Sequence, residues 1–306
     1  MKNLKGKNST YYSVIGYRKN VPYVLAENTT FEEALSVFEK RAEQFENVNI
    51  VEEYSIPSAP KNLLVIANAE CSLQETKELV DRPLKLKETF LFLGNYLDGS
   101  SDFYLYLSFL SNLRKKRKCI FVKGINEHNI LERINGTEDY IGDKEEALKL
   151  VQNLERSLTF HLSDFPRKFP EIYSILEDSL EYFENDEFIF VPGGLNLSIE
   201  YWKQSSREEL CLTTEDFLLE ENETGKKIVF GNIPVSELRS NGDLKPWINN
   251  HRNKIGINGG CKQGGKLYGL SLIDNDISFI SIRSKRGRSI RNRNRELTNS
   301  SLCNLK

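Results

Sequence analysis

A series of short apolar runs, each closing on asparagine, glycine or a turn residue, constrains this chain more than any other feature from residue 61 onward. LLVIAN (63–68), TFLFLGNYL (89–97) and KCIFVKG (118–124) read as buried strands. SLQETKELV (72–80) and SDFYLYLSFLSNLRKK (101–116) read as the helices between them, and residues 144–184 as mostly helical. FIFVPGG (188–194), KKIVFGN (226–232), KIGING (254–259), KLYGLSLI (266–273) and ISFISIR (277–283) supply further strands with glycine-rich ends. Strands alternating with helices predict a layered α/β domain. Ligands of such sheets gather at the carboxyl ends of strands, here Asn68, Asn95, Gly124, Pro192 and Asn232.

The stretch ahead of this domain has a different pattern. YYSVIGYRKNVPYVLA (11–26) reads as a β-hairpin turning at Lys19-Asn20. Thr30 and Glu33 have capping-box spacing, and Phe31, Ala34, Leu35, Phe38, Ala42 and Phe45 fall on one face of the helix that follows. Residues 49–54 read as a third strand. This α+β (ββαβ) module, 1–56, ends at Ile56-Pro57-Ser58-Ala59-Pro60, which has linker chemistry. Beyond the α/β domain (61–283), a tail (284–306) begins with basic residues. Arg283, Lys285, Arg286, Arg288, Arg291, Arg293 and Arg295 have no acid among them, which predicts a poorly ordered basic patch.

Bulk properties narrow the function classes. A chain of 306 residues with 39% hydrophobic and 28% charged content suits one large soluble domain with a small companion. The net charge of −2 gives the whole molecule no electrostatic reason to bind nucleic acid or an anionic membrane, so such binding needs a local patch. The 5 cysteines are scattered and never paired as CxxC. That argues against a disulfide framework or structural zinc and fits a reducing, cytoplasmic setting. No apolar stretch approaches the roughly 20 residues of a membrane span, and the first residues lack a signal-peptide core.

VIANAEC (65–71), FLGNYLDGS (92–100), VKGINEH (122–128), FVPGGL (190–195), VFGNIP (229–234) and INGGCKQGGKL (257–267) carry a resemblance. In order and spacing they are similar to the serine/threonine phosphoprotein phosphatase branch of the calcineurin-like metallophosphoesterases, in its bacterial and phage form. That family shows GDxHG, FLGDYVDRG, GNHE, FVHAG, a GH pair and IDTG-x-x-x-GG. The resemblance implies a β-sandwich of two mixed sheets flanked by helices, following the α+β module. It also implies two metal ions about 3.5–4 Å apart that clamp a phosphoryl group and generate hydroxide.

The reactive groups of that pattern are replaced in this chain. Asn68 stands where the family has Asp, Glu70 where it has His, and Asn95 where Asp bridges the metals. Ile125 and Asn126 replace the Asn and His of GNHE, while Pro192 and Asn232 replace two ligand histidines. Gly99 stands at the phosphate-binding Arg. Turn and packing residues are kept, among them Gly94, Gly124, Gly194, Gly231, Gly264 and Gly265, together with the acids Asp98 and Glu127. A neutral amide cannot be the anionic bridge between two cations, and proline offers no side-chain ligand. The resemblance therefore implies a pseudophosphatase with no metal and no cofactor.

Three functions follow from these readings. The first is a non-catalytic interaction module for a protein partner or another copy of itself. The second is a divergent phosphoesterase with a rebuilt mononuclear site drawn from Glu70, Asp98, Glu127 and His128. Those carboxylates either hold one hard cation such as Mg²⁺ or bond to neighbouring backbone and to Asn68 or Asn95. His128 reads as a surface histidine unless a register shift brings it to the site; His161 and His251 read as structural or exposed. The third function is nucleic-acid binding through the tail by counterion release, although no aromatic residues interleave the arginines.

Overall fold

The computed structural model describes residues 9–18, 21–55, 60, 62–82, 88–273 and 276–285. The first unit holds β1 (Ser9–Arg18), β2 (Val21–Thr29), α1 (Phe31–Arg41) and β3 (Asn47–Ser55). β1 is central and pairs antiparallel with both neighbours, giving the order β2-β1-β3. The expected capping box is present: Thr30 Oγ1 accepts from the Glu33 amide and Glu33 accepts from the Thr30 amide. The expected apolar face of α1 is only partly buried. Ala34 is buried, with Val37 and Phe38 packed beside it, whereas Phe31 and Leu35 are exposed. The turn at Lys19-Asn20 and residues 56–59 of the expected linker lie outside the described residues.

The main body runs β4 (Asn62–Ala67), α2 (Leu73–Val80), β5 (Thr89–Leu93), α3 (Phe103–Lys116), β6 (Cys119–Val122), α4 (Ile125–Asn135) and α5 (Lys144–Leu158). It continues with α6 (Phe165–Lys168), α7 (Pro170–Glu177), β7 (Phe183–Glu184), β8 (Phe188–Phe190), α8 (Arg207–Cys211) and α9 (Glu215–Leu219). β9 (Lys227–Phe230), β10 (Trp247–Ile248), β11 (Lys254–Gly256), β12 (Lys266–Ile273) and β13 (Asp276–Arg283) complete it. One sheet has the order β13-β12-β4-β5-β6 and the other β10-β11-β9-β8-β7; each mixes parallel and antiparallel pairs.

The two sheets pack face to face. Side chains alternate across a strand, so Leu63 and Val65 of β4 and Leu91 and Leu93 of β5 meet Phe188, Phe190, Val229 and Ile255 of the other sheet. Their neighbours Leu64, Ile66, Phe90 and Phe92 face the opposite way, against α2, α3 and the α5–α7 helices. Both faces of β4 and β5 are covered, which explains why these strands read as unbroken apolar runs.

Two expected strands end early for local reasons. β5 stops at Leu93 because Gly94 (φ 63°) and Asn95 (φ 44°) are left-handed. β8 stops at Phe190, two residues before Pro192, which has no amide hydrogen to extend the ladder. The short elements β7, β10, α8 and α9 have too few residues for a periodic signal and were not expected. Arg283 belongs to β13 rather than to a loose tail, and Lys285 is anchored as well. The Lys285 amide donates to Glu75 (2.8 Å), and its ammonium lies 3.9 Å from Glu78. Arg286, Arg288, Arg291, Arg293 and Arg295 lie outside the described residues.

Candidate functional site

The loops after β4 and β5 run side by side at the carboxyl edge of their sheet. The amides of Asn68, Glu70 and Cys71 donate to the carbonyls of Gly94, Asn95 and Tyr96 at 3.0–3.2 Å. Four non-glycine residues here are left-handed: Asn68, Glu70, Cys71 and Asn95, with φ between 44° and 54°. Asparagine tolerates that region better than most residues, whereas glutamate and cysteine are strained there. Close approach also demands glycine. A Cβ on Gly94 would sit 2.5 Å from Pro192 Cβ, and one on Gly124 would sit 2.6 Å from Asn95 Oδ1.

Side-chain amides occupy the centre of this edge. Asn95 Nδ2 donates to Asn232 Oδ1 (3.0 Å), and Asn95 Oδ1 accepts from the Asn126 amide (3.2 Å). The Asn126 side chain turns away to the Leu97 carbonyl (2.8 Å). Asn68 Nδ2 and Asn258 Nδ2 both donate to the Asn232 carbonyl, at 3.4 and 3.2 Å. Asn258 Oδ1 accepts from Gly260 (2.9 Å). Asn68 Oδ1 is buried and has no hydrogen-bond partner among the described residues. The Pro192 carbonyl accepts from the Gly231 and Asn232 amides, both at 2.8 Å, tying β8 to β9 beneath the cluster.

The remaining acids and the histidine are committed elsewhere. Glu127 is fully buried; Oε2 accepts from the Asn95 and Gly124 amides (2.8 Å each) and Oε1 from Leu97 (2.9 Å). Burial lifts its carboxyl to about 7 despite these three donors. Burial also works to raise Asp98, but hydrogen bonds from Ser100 and the Lys262 ammonium, 2.9 Å away, outweigh it and hold this carboxyl below its usual range. Gly99 packs beside Leu150, where a Cβ would meet it at 3.3 Å. Ile125 opens α4 and is half-buried. Glu70 is half-buried on its left-handed turn.

His128 is not a surface histidine. Its ring is nearly buried and Nε2 lies 2.8 Å from Glu181, whose other oxygen is 2.9 Å from Lys123. The cause is the pitch of α4: Glu127 points at the strand-end loops, so the next residue turns toward the segment ahead of β7. Burial works against ionisation of Glu181, but the His128 contact and the Lys123 charge outweigh it and bring the carboxyl down to about 2. His161 is exposed, as expected, and so is His251.

The pair of metals implied by the family resemblance does not fit these side chains. Asn95 has both ends of its amide engaged, Pro192 offers no donor, Asp98 already faces an ammonium, and both Glu127 oxygens are occupied by backbone amides. Among the described residues, no three His, Cys, Asp or Glu side chains come together as a metal-holding group. The four described cysteines are unpaired, and burial pushes the Cys71, Cys119, Cys211 and Cys261 thiols up. Sequence reasoning missed Asn258, Lys262, Glu181 and Lys123. Asn258 and Lys262 lie inside the glycine-rich INGGCKQGGKL segment and Lys123 inside VKGINEH, which was the signal available for them; Glu181 had none.

Comparison with solved structures places this architecture. A cold-active protein-tyrosine phosphatase of a psychrophilic Shewanella species superposes with a TM-score of 0.50 at 11% identity, covering 92% of this chain and 97% of that one. The chain has a metallophosphoesterase-type fold. A serine/threonine phosphatase from Saccharomyces cerevisiae gives a TM-score of 0.45 at 15% identity, over 74% of this chain and 81% of the other. A metallophosphoesterase from Sphaerobacter thermophilus gives 0.43 at 9%, over 74% and 89%. No protein-family model matches the chain, and no curated protein sequence does. Among the described residues, no helix is long and apolar enough to cross a membrane.

Proposed function

We propose that this chain is a catalytically inactive, phosphatase-like protein of a bacterial or phage cytosol that acts as an interaction module, for a protein partner or another copy of itself. One contact carries the reading: Asn95 Nδ2 bonds Asn232 Oδ1 at 3.0 Å, where the family pattern has a bridging carboxylate and a ligand histidine. An amide paired with an amide provides no anion to hold two cations close together. With no cation to acidify water, no nucleophile forms at neutral pH. No histidine faces the cluster to protonate a leaving group, because His128 is bonded to Glu181. What remains is a rigid scaffold with its packing glycines in place.

The test is metal content after growth with added manganese, with turnover of an aryl phosphate on the same sample. Less than about a tenth of an equivalent of bound metal and no turnover are expected. Two tightly held metals, or turnover that Glu70→Ala or His128→Ala abolishes, would overturn the reading and establish a rebuilt site.

A further inference from the structure

Two surfaces lie apart from the strand-end amides. One is a cleft of about 660 Å³ between the N-terminal unit and the main body, with Phe38, Ile50, Lys203 and Arg207 among its walls. There β7 and residues 202–204 of the same chain pack against β3, so that edge is closed. The other surface is the outer edge of β13. This strand ends its sheet, with β12 as its strand partner among the described residues, and the register between them is unbroken from Asp276 to Arg283. The Ser284 amide donates to the Gly265 carbonyl (3.0 Å) and so faces β12. Backbone groups alternate sides along an antiparallel strand. Those of Ile277, Phe279, Ser281 and Arg283 therefore face outward, and among the described residues none bonds to them there.

Sheet edges are usually blunted by a lysine, a proline or a bulge, because a bare edge invites another strand. Between Asp276 and Arg283 this edge has none of them. It ends where Glu75 of α2 takes the Lys285 amide (2.8 Å), two residues on and on the same side. Phe279, in the middle, is 36% exposed. The edge is complementary to itself when two copies run antiparallel about Ile280. Ile277 then stands opposite Arg283 of the copy and Phe279 opposite its Ser281, so every outward residue exchanges hydrogen bonds. Ile280 meets Ile280 on one face, and Phe279 lies diagonal to Phe279 on the other, within reach of an aromatic ring. Arg283 of each copy arrives one position from Asp276 of the other, whereas parallel strands would set like charges together. A shift in one direction pushes Arg283 past the start of the strand. A shift in the other sets Ile277 against Lys285, whose amide is already held.

We infer that two copies of this chain pair antiparallel through β13, joining their five-stranded sheets into one across a two-fold axis at Ile280. The inference rests on the interaction-module reading and deepens it by choosing a second copy as the partner and naming the strand that binds it.

The experiment is sedimentation velocity of the full chain across a concentration series, with cysteine linking to fix the register. A monomer–dimer equilibrium with a Kd on the order of micromolar is expected, because one strand edge is a small interface. Ser281→Pro removes an outward amide and leaves the β12 side intact. It should abolish the dimer while the circular dichroism and urea midpoint of the monomer stay unchanged, and Ser281→Ala should keep the dimer. Asp276→Arg and Arg283→Asp should each weaken it by about tenfold. The double swap should restore it, a rescue that a misfolded chain does not show. In a Cys303→Ser background, Ile280→Cys should link two copies through a disulfide under mild oxidation, because residues directly opposite across a strand pair bring their Cβ atoms close. Ser278→Cys should not. A chain that stays monomeric throughout would overturn the inference and leave the interaction-module reading to a different partner. A dimer that survives Ser281→Pro and is not linked by Ile280→Cys would place the contact elsewhere and also overturn it. Phosphatase turnover would overturn the interaction-module reading while the dimer remained measurable.

Discussion

Exchanging a carboxylate for an amide replaces one oxygen by nitrogen, yet at Asn95 it reverses what the site attracts. A carboxylate needs donors or cations around it. An amide brings its own donor, and here that donor closes on Asn232. Glu127 shows the opposite economy, being a full carboxylate sealed from water by three backbone amides. Its carboxyl is raised to about 7, so the folded protein binds a proton there that the unfolded chain has already released. The stability this group contributes is complete below its unfolded value of 4.5 and is lost as pH rises toward 7. In urea titrations, the stability of the native protein relative to Glu127→Gln should fall by about 3 kcal/mol between acid and neutral pH, then level off. A difference independent of pH would show that the carboxyl titrates alike in the folded and unfolded chain, so that burial does not raise it. Sequence revealed which residue types stand at the strand ends, but not what they bond to. Asp98 with Lys262 and His128 with Glu181 are far apart in the chain, and nothing local announces either pair.

The elements divide the same way by range. The capping box of α1 and the unbroken runs of β4 and β5 were legible because their determinants lie within a few residues. Phe31 and Leu35 share the expected face of α1 yet stay exposed, because a helical stripe looks alike whether a core or a partner covers it. Short helices depend on distant support, and α9 illustrates this. The Lys254 ammonium, at the start of β11, reaches the Phe217 and Glu220 carbonyls at the end of α9 and lies 4.9 Å from the centre of the Phe217 ring. Lys254 is fully buried, and burial lowers the pKa of its ammonium. Lys254→Met keeps the volume and removes the donors, so those carbonyls lose their partner. A loss of about 2 kcal/mol in urea unfolding is expected, with amide exchange fastest across α9; an unchanged midpoint would mean the carbonyls find other donors.

At the scale of the molecule, two cores of unequal size meet across the cleft. The N-terminal core centres on Val14, Ala34 and Val48, whereas the main body has packed layers on both sides of β4 and β5. Small cores bury little apolar surface and open first. Both tryptophans, Trp202 and Trp247, are in the main body, and Trp202 stands just before the cleft-lining Lys203. In a Trp202→Phe variant, Trp247 fluorescence should report a later urea midpoint than far-ultraviolet circular dichroism, which also sees the small sheet. Coincident midpoints would make the two units one cooperative whole. The amide cluster also bears on how the protein ages. Asparagine before glycine is the pair most prone to losing ammonia, because the next residue's nitrogen can swing in to attack the side chain. Asn258-Gly259 is such a pair, but both ends of the Asn258 amide are held and the side chain is buried, so it cannot turn. Asn135-Gly136, at the exposed C-terminus of α4, and Asn241-Gly242, on an exposed turn, both have left-handed glycines. Spontaneous conversion to aspartate therefore begins on the surface, and the strand-end amides keep their chemistry while the rest of the molecule grows slowly more acidic.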